Sequence, residues 1–174
     1  MPKSKERFYA GVDTGEGIGS DNSVIEIIDQ DGEQVFEFAS NRIKPYEYAD
    51  LVREVGAFYS MSLLVVEKAS AGHTVVDKLY DGGHRYLRLY KYKEYDAKGK
   101  AKRKPGFQTS AKSRPIEMFE TGQVLINSRA LLDEMNAFQL DDNGKQQAVH
   151  GAKDDRVMAF AMALEGLVNG VWYI

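Results

Sequence analysis

Apolar and polar positions along the chain change period several times, and each change marks an element. Arg7 to Asp13 reads as a buried strand running into a glycine-rich turn, and Ser23 to Asp29 (SVIEIID) alternates as a strand does. The turn Asp29-Gln30-Asp31-Gly32 leads to a third strand, Glu33 to Ala39, so the first three elements predict an antiparallel meander. Pro45 opens a helix in which Tyr48, Leu51, Val52, Val55 and Tyr59 recur at helical spacing. Leu63-Leu64-Val65-Val66 is a short all-apolar run of the kind buried on both faces, and is the central-strand candidate. Beyond it, His73 to Tyr80 reads as helix, Tyr86 to Tyr90 as a fifth strand, and Ser113 to Glu120 as a helix with Pro115 near its first turn. The closing helix places Val157, Met158, Ala161, Leu164 and Val168 on one stripe, with Asp154 and Asp155 in its first turn. Strands and helices that alternate after initial hairpins predict an α/β mixed sheet flanked by helices.

A chain of 174 residues suffices for one domain with a hydrophobic core, expected over residues 7–170. Hydrophobic residues at 43% and charged residues at 28%, with 8 Phe, 10 Tyr and 1 Trp, exclude a disordered chain. Cysteine is absent, which removes disulfides, thiol nucleophiles and thiolate metal sites, and leaves oxygen or imidazole as the only metal ligands. No apolar run approaches the roughly 18 residues of a membrane span, and the start lacks the apolar core of a secretory signal, so no membrane partner and a cytosolic location are expected. The net charge of −3 conceals an uneven distribution. Residues 91–104 carry seven Lys/Arg against two acids, a local charge of +5 that leaves −8 elsewhere. The domain is acidic with one basic arm.

Three acidic positions stand where strands or helices meet loops. Asp13 ends the first strand, Glu67 ends the central apolar strand, and Asp154/Asp155 begin the last helix. If the first and central strands are neighbours, Asp13 and Glu67 leave the sheet side by side, and the helix start brings a third carboxylate to the same edge. Carboxylates that close raise one another's pKa unless cations neutralise them. Oxygen ligands without cysteine suit Mg2+ or Mn2+, and two such ions about 4 Å apart activate water for phosphodiester hydrolysis. Taken singly, Asp13-Thr14-Gly15 also suits a simple turn, or the phosphate hairpin of actin-type ATPases, and Asp154-Asp155 also suits a helix cap. His73 and His84 read as surface-turn residues, His150 lies nearer the third acidic position, and no role is assigned to Trp172 and Tyr173.

These residues, in this order, resemble the nuclease domain of the large terminase subunit of tailed bacteriophages, over Phe8 to Leu167. Gly11-Val12-Asp13, followed by Gly15, Gly17, Gly19 and Asp21-x-Ser23, is similar to that family's first-strand motif. Val65-Val66-Glu67-Lys68 resembles the second motif, with Ala71-Gly72 where an Asn-x-x-Gly-like turn is common. Gly106 to Ser110 with Ser113-Arg114-Pro115 resembles the segment before a family helix, and Gly151 to Ala159 the closing His-Asp-Asp start of a Val-Met-Ala helix. Lys153 stands where that family often has histidine.

The resemblance implies a ribonuclease-H-like fold and endonucleolytic cutting of concatemeric double-stranded viral DNA during genome packaging. It implies Asp13, Glu67 and one or both of Asp154 and Asp155 as catalytic ligands of two Mg2+ or Mn2+ ions. It also implies the terminase ATPase domain, the small terminase subunit and the portal protein as partners, in the host cytoplasm. The sequence has no G-x-x-x-x-G-K-[ST] phosphate loop, so a nuclease half without the ATPase motor is expected. The basic arm fits the same substrate: Lys91, Lys93, Lys98, Lys100, Lys102, Arg103 and Lys104 surround a plausible hairpin tip at Asp96 to Gly99 and are expected to contact DNA phosphates. Two alternatives share these residues, a Holliday-junction-resolvase-like nuclease and a noncatalytic DNA-binding packaging module.

Overall fold

The computed structural model describes residues 6–16, 19, 21–69, 71–81, 86, 88–95, 101–105, 114–140, 146–148 and 153–170. A four-stranded sheet forms its centre, from β1 (Phe8–Asp13), β2 (Ser23–Asp29), β3 (Gln34–Ser40) and β4 (Leu63–Val66), in the order β3-β2-β1-β4. The first three strands are the antiparallel meander that the alternation predicts, and β4 lies parallel to β1, with Tyr9 opposite Leu63 and Val12 opposite Val66. The all-apolar Leu63–Val66 run is buried throughout because helices cover both faces of the sheet.

Strand alternation sorts the core in two. Phe8, Ala10, Val12, Ile25, Ile27, Leu64 and Val66 pack with residues of α1 (Pro45–Phe58) and α2 (Gly72–Asp81). Tyr9, Ile28 and Leu63 pack on the other face with α5 (Asp155–Asn169), Leu131 and Met135 of α4 (Arg129–Asn136), and Val124 and Ile126. A short α3 (Arg114–Glu120) precedes the segment of Val124 and Ile126, and two hairpins complete the described elements: β5 (Lys91–Tyr95) with β6 (Ala101–Pro105), and β7 (Phe138–Leu140) with β8 (Gln146–Ala148).

Two expectations are corrected. Tyr86 to Tyr90 does not form a strand: Leu89 makes a single parallel bridge to Leu64, flanked by the bonds Leu64 N to Arg88 O and Tyr90 N to Leu64 O. Its side chains still serve the core, because Tyr86 and Leu89 are buried in the α1/α2 layer. The closing helix is not a one-sided stripe either. Residues 157–164 are all buried, so the helix runs through the interior, while Val168 is 52% exposed near its end. Neither α4 nor the β7–β8 hairpin was distinguished by the residue pattern.

Candidate active site

Strand parity decides where the carboxylates face. Asp13 has the parity of Tyr9 and Gly11, and Glu67 that of Leu63 and Val65, so both positions lie on the α5 face of adjacent parallel strands. The backbone carries this register one residue past β4, with Glu67 N–H donating to Val12 O at 3.0 Å. The Asp13 and Glu67 carboxyl groups hydrogen-bond to each other. Burial, that bond, and the charges of Glu67 and Asp155 together push the Asp13 carboxyl up to about 9, against the opposing N–H of Thr14. At neutral pH the Asp13 carboxyl therefore keeps its proton beside Glu67.

The third carboxylate arrives because α5 comes unusually close to β1. A Cβ built on Gly11 would sit 1.7 Å from Ala159 O and 2.6 Å from Ala163 N, so strand and helix backbones touch there. That contact lays the first turn of α5 over the ends of β1 and β4. Asp154 is the N-cap residue and makes no side-chain cap bond; its carbonyl accepts from Met158 N at 2.8 Å. Asp155, 9% exposed, is the member of the pair whose charge acts on Asp13. Its Oδ2 accepts from both the backbone N–H and the Nδ2 of Asn22, each at 2.9 Å, which leaves Oδ1 outside those two bonds. Burial raises the Asp155 carboxyl, while Asn22 and the nearby charge of Lys153 oppose the rise.

Three further residues support the site end of the sheet. The Tyr48 hydroxyl, wholly buried, lies 2.6 Å from Val24 O and 3.0 Å from Asp13 O, tying α1 to the site end of the sheet. Ser23 Oγ accepts from Gly15 N at 3.2 Å and folds the loop after Asp13 back on β2. At α2, a Cβ on Gly72 would fall 2.0 Å from Glu67 O, so only glycine lets the helix start against the end of β4. Asn22 stands as the unremarked middle of Asp21-Asn22-Ser23, and Tyr48 as one more position on a helical stripe. Only the approach of distant segments distinguishes them.

Of the remaining sequence candidates, His73 is exposed on α2; His84, His150, Trp172 and Tyr173, and the 106–113 segment, lie outside the described residues. The basic arm forms the antiparallel β5–β6 ribbon, with Lys93 opposite Arg103, Tyr92 opposite Lys104, and Glu94 opposite Lys102. Lys98 and Lys100 lie outside the described residues. Alternation sets the positions of Lys91, Lys93 and Arg103 on one face of the ribbon and those of Lys102 and Lys104 on the other. Lys91 Nζ lies 5.9 Å over the Tyr80 ring, a cation–π contact with α2.

The sequence model of the terminase RNaseH-like domain matches residues 10–167, a span that includes Asp13, Glu67 and Asp155. The chain belongs to that family. Its fold is the ribonuclease-H-like mixed sheet, and solved structures share it. The large terminase nuclease from thermophilic phage G20c has a TM-score of 0.69 at 19% identity, over 94% of this chain and 84% of that one. The large terminase nuclease domain of Thermus phage P74-26 has a TM-score of 0.69 at 21% identity, over 99% and 86%. The nuclease domain of the large terminase from bacteriophage SPP1, with bound Mn, has a TM-score of 0.55 at 15% identity, over 91% and 85%. No curated protein matches the chain. Among the described residues no helix is long and apolar enough to cross a membrane.

The donor set can be tested for a cation. Among the described residues, no three His, Asp or Glu side chains stand ready to hold an ion as placed. Asp13 and Glu67 are closed on each other through a proton, and Asp155 is drawn to Asn22. The chemistry nevertheless suits a hard divalent ion: every donor is oxygen, Asp13 resists ionisation without an added positive charge, and Thr14 Oγ1 is buried beside Asp13 with no hydrogen-bond partner.

Proposed function

We propose that this chain is the nuclease of a terminase large subunit, cutting concatemeric double-stranded viral DNA during genome packaging by metal-dependent phosphodiester hydrolysis. The observation that carries the reading is the proton-sharing Asp13–Glu67 pair with Asp155 acting on it, on a terminase RNaseH-like fold. Asp13, Glu67 and Asp155 would hold two divalent ions, Mg2+ or Mn2+, which supply an activated water and stabilise the leaving oxygen. The solved relatives with bound Mg and Mn support divalent-ion chemistry in this fold. Asp13 and Glu67 must give up their shared proton before both can act as ligands. Asn22 holds Asp155 Oδ2 and leaves Oδ1 outside those bonds, and Tyr48 keeps the Asp13 backbone in place. Asp154 shapes the helix start and is assigned no ligand role. DNA would lie across this edge with its phosphates against the β5–β6 ribbon, delivered by the terminase ATPase domain, with the small subunit and portal as further partners.

Supercoiled plasmid incubated with Mg2+ or Mn2+, with and without chelator, tests the reading. Cutting is expected only with metal, and is expected to vanish in Asp13→Ala, Glu67→Ala and Asp155→Ala while Asp154→Ala retains it. Cutting that persists in chelator sinks the metal mechanism. A strong preference for a four-way junction over linear duplex would favour a resolvase instead.

A further inference from the structure

Beside the carboxylate site, a second polar network grips the start of α5 at the residue after Asp155. Arg156 Nη1 donates to Glu134 Oε1 at 2.6 Å, its backbone N–H donates to Glu134 Oε2 at 2.8 Å, and its Nε donates to Glu37 Oε1 at 3.2 Å. One carboxylate from α4 thus caps the helix that Asp154 leaves uncapped, and also binds the guanidinium. Glu37 belongs to the sheet, opposite Glu26, which in turn accepts from Gln34 Nε2 at 2.7 Å. Gln34 closes the circuit: its Oε1 accepts from Asn127 N and Ser128 N at 2.9 and 2.7 Å, where α4 begins. All these side chains are partly or wholly buried, which is where geometry of this kind is held rigidly.

We propose that Arg156, clamped between Glu134 and Glu37, is a positioning residue that sets the rotation of α5 and thereby aims Asp155 at Asp13 and Glu67. This rests on the nuclease reading above. Successive residues on a helix leave the axis about 100° apart, so a fixed Arg156 fixes the direction of Asp155. A carboxylate about 6 Å from the axis moves about 2 Å when the helix turns by about 20°, and ligands need placement within about 0.5 Å. The Gly11–Ala159 contact sets how close α5 lies but not its angle, since a bare glycine offers no side chain to key the rotation. Asn22 holds Asp155 itself, so the two grips together define one orientation.

The test compares wild type with Glu134→Ala, Arg156→Met, the milder Glu134→Gln and Arg156→Lys, and Asp133→Ala, which breaks only the exposed Arg129–Asp133 pair on the same helix. Mn2+ binding without DNA is measured by calorimetry, kcat and KM for plasmid cutting are measured in Mn2+, and thermal melts report folding. Glu134→Ala and Arg156→Met are expected to bind Mn2+ about tenfold or more weakly and to lose kcat with KM for DNA unchanged. The milder variants, each keeping part of the clamp, should fall between these and wild type, and Asp133→Ala should match wild type. If the truncations fail to fold, Glu134→Gln and Arg156→Lys decide. Wild-type Mn2+ affinity and kcat in the folded clamp variants, with only the melting temperature lowered, overturns the proposal and leaves the clamp purely structural. A wild-type protein that neither binds Mn2+ nor cuts DNA brings down the nuclease reading itself, and this inference with it.

Discussion

Asp13 and Glu67 meet at the ends of two parallel strands, and the proton between them makes stability depend on pH in a definite direction. In the fold the Asp13 carboxyl titrates at about 9, against ~3.9 in an unfolded chain. A raised pKa means that the folded chain binds the extra proton, so its contribution to stability is full below about pH 4 and is lost as pH rises through about 9, at no more than about 1.4 kcal/mol per pH unit. In chelator, the melting temperature of the wild type is therefore expected to fall from about pH 5 to about pH 9, and Asp13→Asn to flatten that fall and be the more stable protein at about pH 8. A steeper decline in the variant would contradict the shared proton. Glu26 and Glu37, opposite each other on β2 and β3, repeat the arrangement away from the site. Glu26 Oε1 and Glu37 Oε2 are both buried without other partners, and burial holds the Glu26 carboxyl well above the usual range. Glu26→Gln replaces the proton with an amide that can accept from Gln34 and donate to Glu37. It should stabilise the protein by about 1–2 kcal/mol at neutral pH, with no gain near pH 4, as read from urea unfolding at both pH values.

Among the elements, β1 and α5 carry the most consequence, because their backbones touch at Gly11. An added methyl would meet Ala159 O and Ala163 N, backbone atoms that cannot turn aside as a side chain does. Gly11→Ala should cost at least about 3 kcal/mol in urea unfolding, and should lower Mn2+-dependent cutting even where the chain stays folded, since α5 must lift from the strand ends. A variant with wild-type stability would mean that α5 does not pack there. The sequence presents Gly11 only as part of Gly11-Val12-Asp13, ahead of the glycine-rich loop. A glycine required by helix packing and one required by a turn look the same in a one-dimensional pattern. The weak fifth strand has a similar origin: Tyr86 and Leu89 have the apolar character of a strand, but it serves burial against α1 and α2, and backbone pairing stops at one bridge.

At the scale of the whole molecule, an acidic body carries a basic ribbon, β5–β6. The backbone register sets positions 93 and 103 on one face of the ribbon and positions 102 and 104 on the other. Neutralising all four should weaken duplex binding for every sequence and make log affinity less dependent on log salt, by about 0.9 for each DNA phosphate that is no longer neutralised. If DNA lies along one face, one of the double variants Lys93→Gln/Arg103→Gln and Lys102→Gln/Lys104→Gln should account for most of that change. Mn2+ binding without DNA should be unchanged in all of them, because the carboxylates use other residues. Equal salt slopes for wild type and the quadruple variant would leave the ribbon as a solvated hairpin or a surface for another packaging protein.

By itself the sequence determined the antiparallel meander, the helix after it, the buried β4 and the acidic residue at the end of each central strand. These follow from local periodicity: a strand buried on both faces must be continuously apolar, and a carboxylate directly after it stands out. Given β1 beside β4, parity alone places Asp13 and Glu67 on one face. Tertiary structure decided the rest. Which of Asp154 and Asp155 is buried beside that pair is decided by long-range packing, as in the Asn22–Asp155 bonds between residues 133 positions apart. Neighbouring acids at a helix start have the same local chemistry and satisfy the same pattern; only contacts with distant segments distinguish the buried Asp155 from the half-buried Asp154.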